Sequence, residues 1–146
     1  MSFEREKYKE LGFNDYFIEH LREHKADHVL GYRCEPPYYV YSSPLAGRDI
    51  FPLWECGTTT VYYNRKSQSF EVCSLEDIND VWESYTSIQG VLAYLLLQLW
   101  EDEHTDEEIE GIAEAIGFIY TEKLLAEAKT TSDYSTWREQ FPRQCS

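Results

Sequence analysis

The chain has 146 residues and a formal net charge of −14, with 27% charged and 42% apolar residues. This length and composition are typical of one folded domain and exclude a disordered acidic tail. The excess of acids argues against direct binding to the phosphates of nucleic acid. The longest apolar run, Val91–Leu97, is far shorter than the ~20 residues of a membrane span. Residues 1–24 lack a signal-like apolar run, so we expect a cytoplasmic protein without membrane attachment.

The negative charge is concentrated in one segment. From Ser67 to Glu122, 56 residues carry 14 acids and no lysine or arginine, and we call this stretch the base-free segment. Residues 1–66 carry 10 acids and 9 bases, and residues 123–146 carry 3 acids and 4 bases. A localised field of one sign attracts cations and repels anions. We therefore expect a basic protein as the partner.

The first half of the sequence predicts a helix followed by strands. Asn14 is a suitable N-cap for a helix that continues to about His24. A loop around Gly31 and Pro36–Pro37 follows, because two prolines end regular structure. Aromatic and β-branched residues then predict strands at 38–41, 50–56, 58–63 and 69–73. The short polar connection 64–68 predicts that the last two strands form an antiparallel hairpin.

The second half predicts helices. Ser74 begins a capping pattern for a short helix to about Ser84, and a widely apolar helix starts at Thr86 or Ser87. Thr105–Glu108 is a capping box for another helix, and further helices are predicted at 120–129 and around Trp137. This order predicts an α+β fold: a single domain over residues 1–146, with an antiparallel sheet packed against several helices.

One pattern suggests a metal site. The segment His20–His24 reads H-x-x-E-H, which places two imidazoles one helical turn apart, and His28 would extend this stripe. Two histidines and a carboxylate could bind a metal ion and activate water. A five-residue pattern is a weak signature, the same residues form an ordinary solvated helix surface, and no later segment indicates a third ligand. A small metal-dependent hydrolase built on His20 and His24 is therefore kept as an alternative.

Other catalytic patterns are missing from the sequence. It contains neither G-x-S-x-G nor a phosphate-binding loop, and its four cysteines are widely spaced, as expected for free thiols. Carboxylates are too numerous for any pair to indicate acid–base catalysis. We therefore expect a protein that is not an enzyme and needs no cofactor.

Seven acids crowd the ten residues Glu101–Glu110. The helix dipole favours acids in a first helical turn, which explains those directly after Thr105. Acids at the C-terminal end of the preceding helix face the negative end of its dipole, so they have no evident local role. The predicted partner-binding residues are these C-terminal acids and the outward positions of the next helix: Glu101, Asp102, Glu103, Glu107, Glu110 and Glu114.

A further pattern lies between Asp49 and Leu99. It comprises an apolar strand (50–54), Gly57, an aromatic strand (61–64), the segment 70–72 and a serine-initiated helix at 87–92. This order resembles the SUKH superfamily, which includes fungal cell-wall-assembly regulators and bacterial toxin-immunity proteins, over about a third of the chain. The resemblance implies an α+β binding domain without catalytic residues. It also implies a cytosolic immunity role, in which the protein blocks a toxin, often a nuclease, by direct contact.

Three functions are thus compatible with the sequence. The leading one is an immunity-type protein that neutralises a basic toxin through an acidic surface. The second is a regulatory or scaffolding domain of the same fold, whose acids serve only solubility. The third is the metal-dependent hydrolase. The sequence leaves the oligomeric state and the identity of the partner open.

Overall fold

A computed structural model describes residues 4–25 and 27–146. Across these residues the chain forms a four-stranded antiparallel sheet, six α-helices and three short 3₁₀ helices, which confirms the predicted single α+β domain. Residues 1–3 and Ala26, which the domain prediction also covers, lie outside the described residues.

The strands follow one another in the sheet in chain order. They are β1 (Ile50–Cys56), β2 (Thr59–Asn64), β3 (Ser69–Ser74) and β4 (Asp77–Tyr85). The helices are α1 (Arg5–Glu10), α2 (Asp15–Arg22), α3 (Ile88–Glu101), α4 (Asp106–Ile116), α5 (Thr121–Thr130) and α6 (Tyr134–Gln144). The 3₁₀ helices are Gly31–Cys34, Tyr39–Ser42 and Pro44–Gly47.

Most predicted elements are confirmed. The side chain of Asn14 caps α2 by accepting from the amide of Phe17 at 3.0 Å, and α2 ends at Arg22. Strands β2 and β3 form the predicted hairpin, with Val61 opposite Val72. Ser87 caps α3, and the helices at α4 and α5 lie where the pattern placed them. The final helix, α6, is longer than predicted.

The predicted helix from Ser74 to Ser84 is wrong, because this segment is a turn followed by β4. The hydroxyl of Ser74 accepts from the amide of Glu76 within the turn and does not cap a helix. Pairing with the neighbouring strand β3 then satisfies the backbone of β4, and this inter-strand pairing outweighs the local helix signal. The register between Val72 and Cys73 skips Trp82, which occupies a bulge.

The predicted strand at 38–41 is also wrong. Tyr39–Ser42 is a 3₁₀ helix, and the amides at its start bind a side chain instead of a neighbouring strand. The carboxylate of Glu55 accepts from the amides of Tyr38, Tyr39 and Val40 at 2.9, 3.0 and 2.9 Å. A β-favouring composition therefore does not lead to a strand here, because the amides are already satisfied.

Helix α3 lies at the centre of the core and is buried from Gly90 to Leu99, as its wide apolar surface predicted. The contact with α6 is close at Gly90, where an added Cβ would lie 2.8 Å from the carbonyl oxygen of Pro142. A smaller second core holds Val40 and Leu45 against the sheet. None of the helices in the described residues is long and apolar enough to cross a membrane.

Candidate functional site

The acid-rich turn between α3 and α4 has a regular backbone. The amide of Glu103 donates to the carbonyl of Trp100 at 3.0 Å, and that of His104 donates to the carbonyl of Leu99 at 3.2 Å. These two bonds are those of a Schellman motif, which ends a helix with one left-handed residue, usually glycine. Here Glu103 occupies that position with φ of 67°. A residue with a side chain is thus held in a backbone conformation that favours glycine.

Asp102 forms an ion pair across the fold. Both of its carboxylate oxygens accept from the guanidinium of Arg33, each at 2.7 Å, and both side chains are about three-quarters buried, at 21% and 25% exposure. Hydrogen bonding to Arg33 lowers the pKa of Asp102, and the same bonds raise the pKa of Arg33. The pair fastens the turn to the 3₁₀ helix that contains Arg33.

Glu101 also has partners inside the protein. It accepts from the Nε of Arg138 at 3.0 Å and from the hydroxyl of Tyr134 at 2.9 Å. Glu101 and Asp102 have no evident local role in the sequence, but in the structure each binds an arginine from outside the base-free segment. Asp106 is likewise paired, with Lys129 of α5.

The outward positions of α4 differ from this turn. Glu107, Glu110 and Glu114 are exposed, while Ile109 and Ile112 face the core. In the part of the chain that the structure describes, these three carboxylates have no hydrogen-bond or ion-pair partner. We call Glu107, Glu110 and Glu114 the acidic row. The spacing of three and four residues places them on one face of the helix.

The ends of α4 do not depend on the acidic row. The hydroxyl of Thr105 accepts from the amide of Glu108 at 3.1 Å, and Glu108 accepts from the amide of Thr105 at 3.0 Å. This predicted capping box is confirmed, and its hydrogen bonds lower the pKa of Glu108. At the other end, Gly117 provides the left-handed cap with φ of 84°.

A cavity of about 340 Å³ is lined by residues of the turn after α3 and of the 3₁₀ helix Gly31–Cys34. Its wall includes the Arg33–Asp102 pair and the imidazoles of His24, His28 and His104. The guanidinium of Arg33 and the carboxylate of Asp102 neutralise each other, so this pair adds no net charge to the cavity wall.

The histidines of the H-x-x-E-H segment lie close together, and the Nε2 atom of each lies within hydrogen-bond distance of a backbone carbonyl. The Nε2 of His20 is 2.9 Å from the carbonyl oxygen of Cys34, and that of His24 is 3.1 Å from the carbonyl oxygen of Gly31. His28 accepts from the amide of Leu30 at its Nδ1. Burial lowers the pKa of His20 to about 4. No group of three potential metal ligands occurs in residues 4–25 and 27–146.

Sequence reasoning missed a second exposed surface. The rings of Tyr38, Tyr39 and Tyr41 are 72%, 62% and 46% exposed, and we call Tyr38–Tyr41 the tyrosine loop. Only Val40 of this loop is buried. The signal was present in the sequence as three tyrosines within four positions, but it was attributed to a strand.

Comparisons with known proteins provide no relative. Neither a protein-family model, nor a curated protein, nor a solved structure matches this chain.

Proposed function

We propose that the protein is a non-enzymatic binding protein that engages a basic protein partner through the acidic row. One observation carries this proposal: Glu107, Glu110 and Glu114 are exposed together and unpaired within the described residues. The net charge of −14 adds a field of the same sign. Such a field accelerates encounter with a basic surface and disfavours acidic competitors.

The proposed partner is a toxin with a basic active-site surface, such as a nuclease, and the proposed location is the cytoplasm. This part rests on the SUKH resemblance of the segment 49–99. Glu103 supports a binding role as well, because its disfavoured backbone conformation would suit glycine better for stability alone. Glu101 and Asp102 contribute by holding the turn in place rather than by offering free charges.

The scaffolding alternative makes a different prediction, because acids that serve only solubility can be exchanged without loss of binding. The hydrolase alternative has less support, since the Nε2 atoms of His20 and His24 lie within hydrogen-bond distance of backbone carbonyls.

The test is co-purification of a partner from the native host, followed by measurement of its affinity at several salt concentrations. We expect affinity to fall steeply with salt and to be lost in the variant E107K/E110K/E114K. A matched control is E76K/D80K/E122K, which changes the charge equally at exposed acids outside the row. Equal losses in both variants would mean that only net charge matters. An affinity indifferent to salt and to the first variant would contradict the proposal.

A further inference from the structure

We propose that the tyrosine loop is a preformed contact surface that receives arginine side chains of the protein partner. The inference rests on the proposed function in one respect, namely that the partner is basic. It adds a second surface and a specific chemistry of recognition, which the acidic row by itself does not provide.

The loop is held by a buried carboxylate. Glu55 on β1 is 3% exposed, and its two oxygens bind the amides of Tyr38, Tyr39 and Val40. Charge-assisted hydrogen bonds of this kind are stronger than neutral ones. The backbone beneath the tyrosines is therefore fixed before any partner arrives, and a preordered loop loses less entropy on binding.

The tyrosine rings contribute little to the smaller second core, which lies beneath the loop. Val40 is fully buried in the second core, whereas Tyr38 and Tyr39 project outward and contact each other edge to face, with ring centroids 5.1 Å apart. Rigid aromatic side chains with one polar atom are enriched at protein interfaces because they offer a large contact area at low entropic cost.

Charge selects the partner's side chain. Between Arg33, which is paired with Asp102, and Arg48, which binds Asn79, the only charged residue is an acid, and aromatic ring faces attract cations, arginine more often than lysine. The chain itself contains this contact, because the guanidinium of Arg33 lies 5.0 Å from the ring centroid of Tyr32. A second copy of the chain is disfavoured as the occupant, since both copies would carry a charge of −14.

The first experiment uses an oligo-arginine and an oligo-lysine peptide of equal length as probes, at about 150 mM salt to limit unspecific attraction. We expect the wild type to prefer the arginine peptide about threefold, as a cation–π contact at an exposed site allows. The variant Y38L/Y39L should lose this preference without a change of charge. The control W82L removes a half-exposed ring elsewhere and should keep it.

The second experiment tests the hydrogen bonds between Glu55 and the backbone amides of the tyrosine loop. In Glu55→Gln the tyrosines remain, but the amide offers one acceptor oxygen for three backbone donors. We expect amide exchange at Tyr38, Tyr39 and Val40 to accelerate about tenfold, together with loss of the arginine preference. Faster exchange with an unchanged preference would show that Glu55 serves stability alone and would overturn preorganisation.

The two proposals fail separately. The variant E107Q/E110Q/E114Q should weaken both peptides and still show an arginine preference that Y38L/Y39L removes, because the tyrosine loop is unaltered. An unchanged affinity for both peptides would count against the acidic row. An arginine preference that is missing from the wild type, or that persists in Y38L/Y39L, would overturn the inference about the tyrosine loop.

Discussion

The turn after α3, with Glu101, Asp102 and Glu103, and the acidic row each contribute three acids, yet the two regions differ in structure. At the turn, Asp102 binds Arg33 and Glu101 binds Arg138, so these charges connect distant parts of the chain. On α4, the three carboxylates of the acidic row point into solvent. The density of acids therefore does not reveal which of them are available to a partner.

The same distinction extends over the base-free segment. Its paired acids obtain their cations from the flanking parts of the chain, so local neutrality arises only on folding. Glu83, for example, lies 3.8 Å from Arg143 and 4.0 Å from Arg138, both on α6. The acidic row remains uncompensated after this pairing, as the role proposed for it requires.

The largest change in the free energy of unfolding is expected from the titration of His20. This change must be separated from that of the acids before the two acidic regions are compared. Burial lowers the pKa of His20 from 6.5 to about 4, so the folded protein binds fewer protons than the unfolded chain between these pH values. The contribution of His20 to the free energy of unfolding is therefore complete above pH 6.5. It is lost as the pH falls toward 4, by on the order of 3 kcal/mol in total. Urea unfolding from pH 4 to 7.5 measures this loss.

The control for this prediction is His20→Gln, which can still donate to the carbonyl of Cys34 but does not titrate. We expect its stability to depend less on pH over the same range. His24, His28 and Lys25 lie near His20, and Glu19 and Glu23 share the adjoining surface. An unaltered slope in the variant would assign the effect to these neighbours instead.

The substitution Arg33→Ala tests the paired acids of the turn, because it removes the ion pair with Asp102. This substitution leaves Asp102 partly buried without its cation, and we expect a loss of about 2 kcal/mol in the free energy of unfolding. Asp102→Ala and the double variant complete a cycle in which the two losses should not add. Additive losses would show that the ion pair does not stabilise the fold.

Glu103 should give a smaller effect of the opposite sign. Glycine adopts the left-handed conformation at this Schellman position without strain, so Glu103→Gly should stabilise the protein by about 1 kcal/mol. Thermal unfolding measures the gain, with Glu103→Ala as the control that removes the charge but keeps the strain. A gain of equal size in the alanine variant would indicate charge repulsion as the cause.

The smallest change in the free energy of unfolding is expected from substitutions in the acidic row. The variant E107Q/E110Q/E114Q should change the free energy of unfolding by about 0.5 kcal/mol or less at each position, because no internal partner is lost. Chemical unfolding at low and high salt checks this expectation. A marked destabilisation would mean that the acidic row is structural, and the contrast with the turn would disappear.

Several of these features were readable from the sequence because their causes are local. The capping box at Thr105–Glu108 and the N-cap Asn14 depend on neighbouring residues, and both are confirmed. The strand β4 and the tyrosine loop were not, because their backbones are satisfied by partners outside each segment: the neighbouring strand β3 for the former and Glu55 for the latter. Likewise, Arg33 lies 69 residues from Asp102, and no local pattern connects the two.

The capping of α4 has a consequence for how the surface can change over time. Thr105, Glu108 and Gly117 secure the helix at both ends, and its buried stripe anchors it from below. Substitutions at positions 107, 110 and 114 therefore meet little structural constraint. The surface proposed for binding can therefore vary from one descendant to the next while the fold persists, which is a property that the proposed role would require.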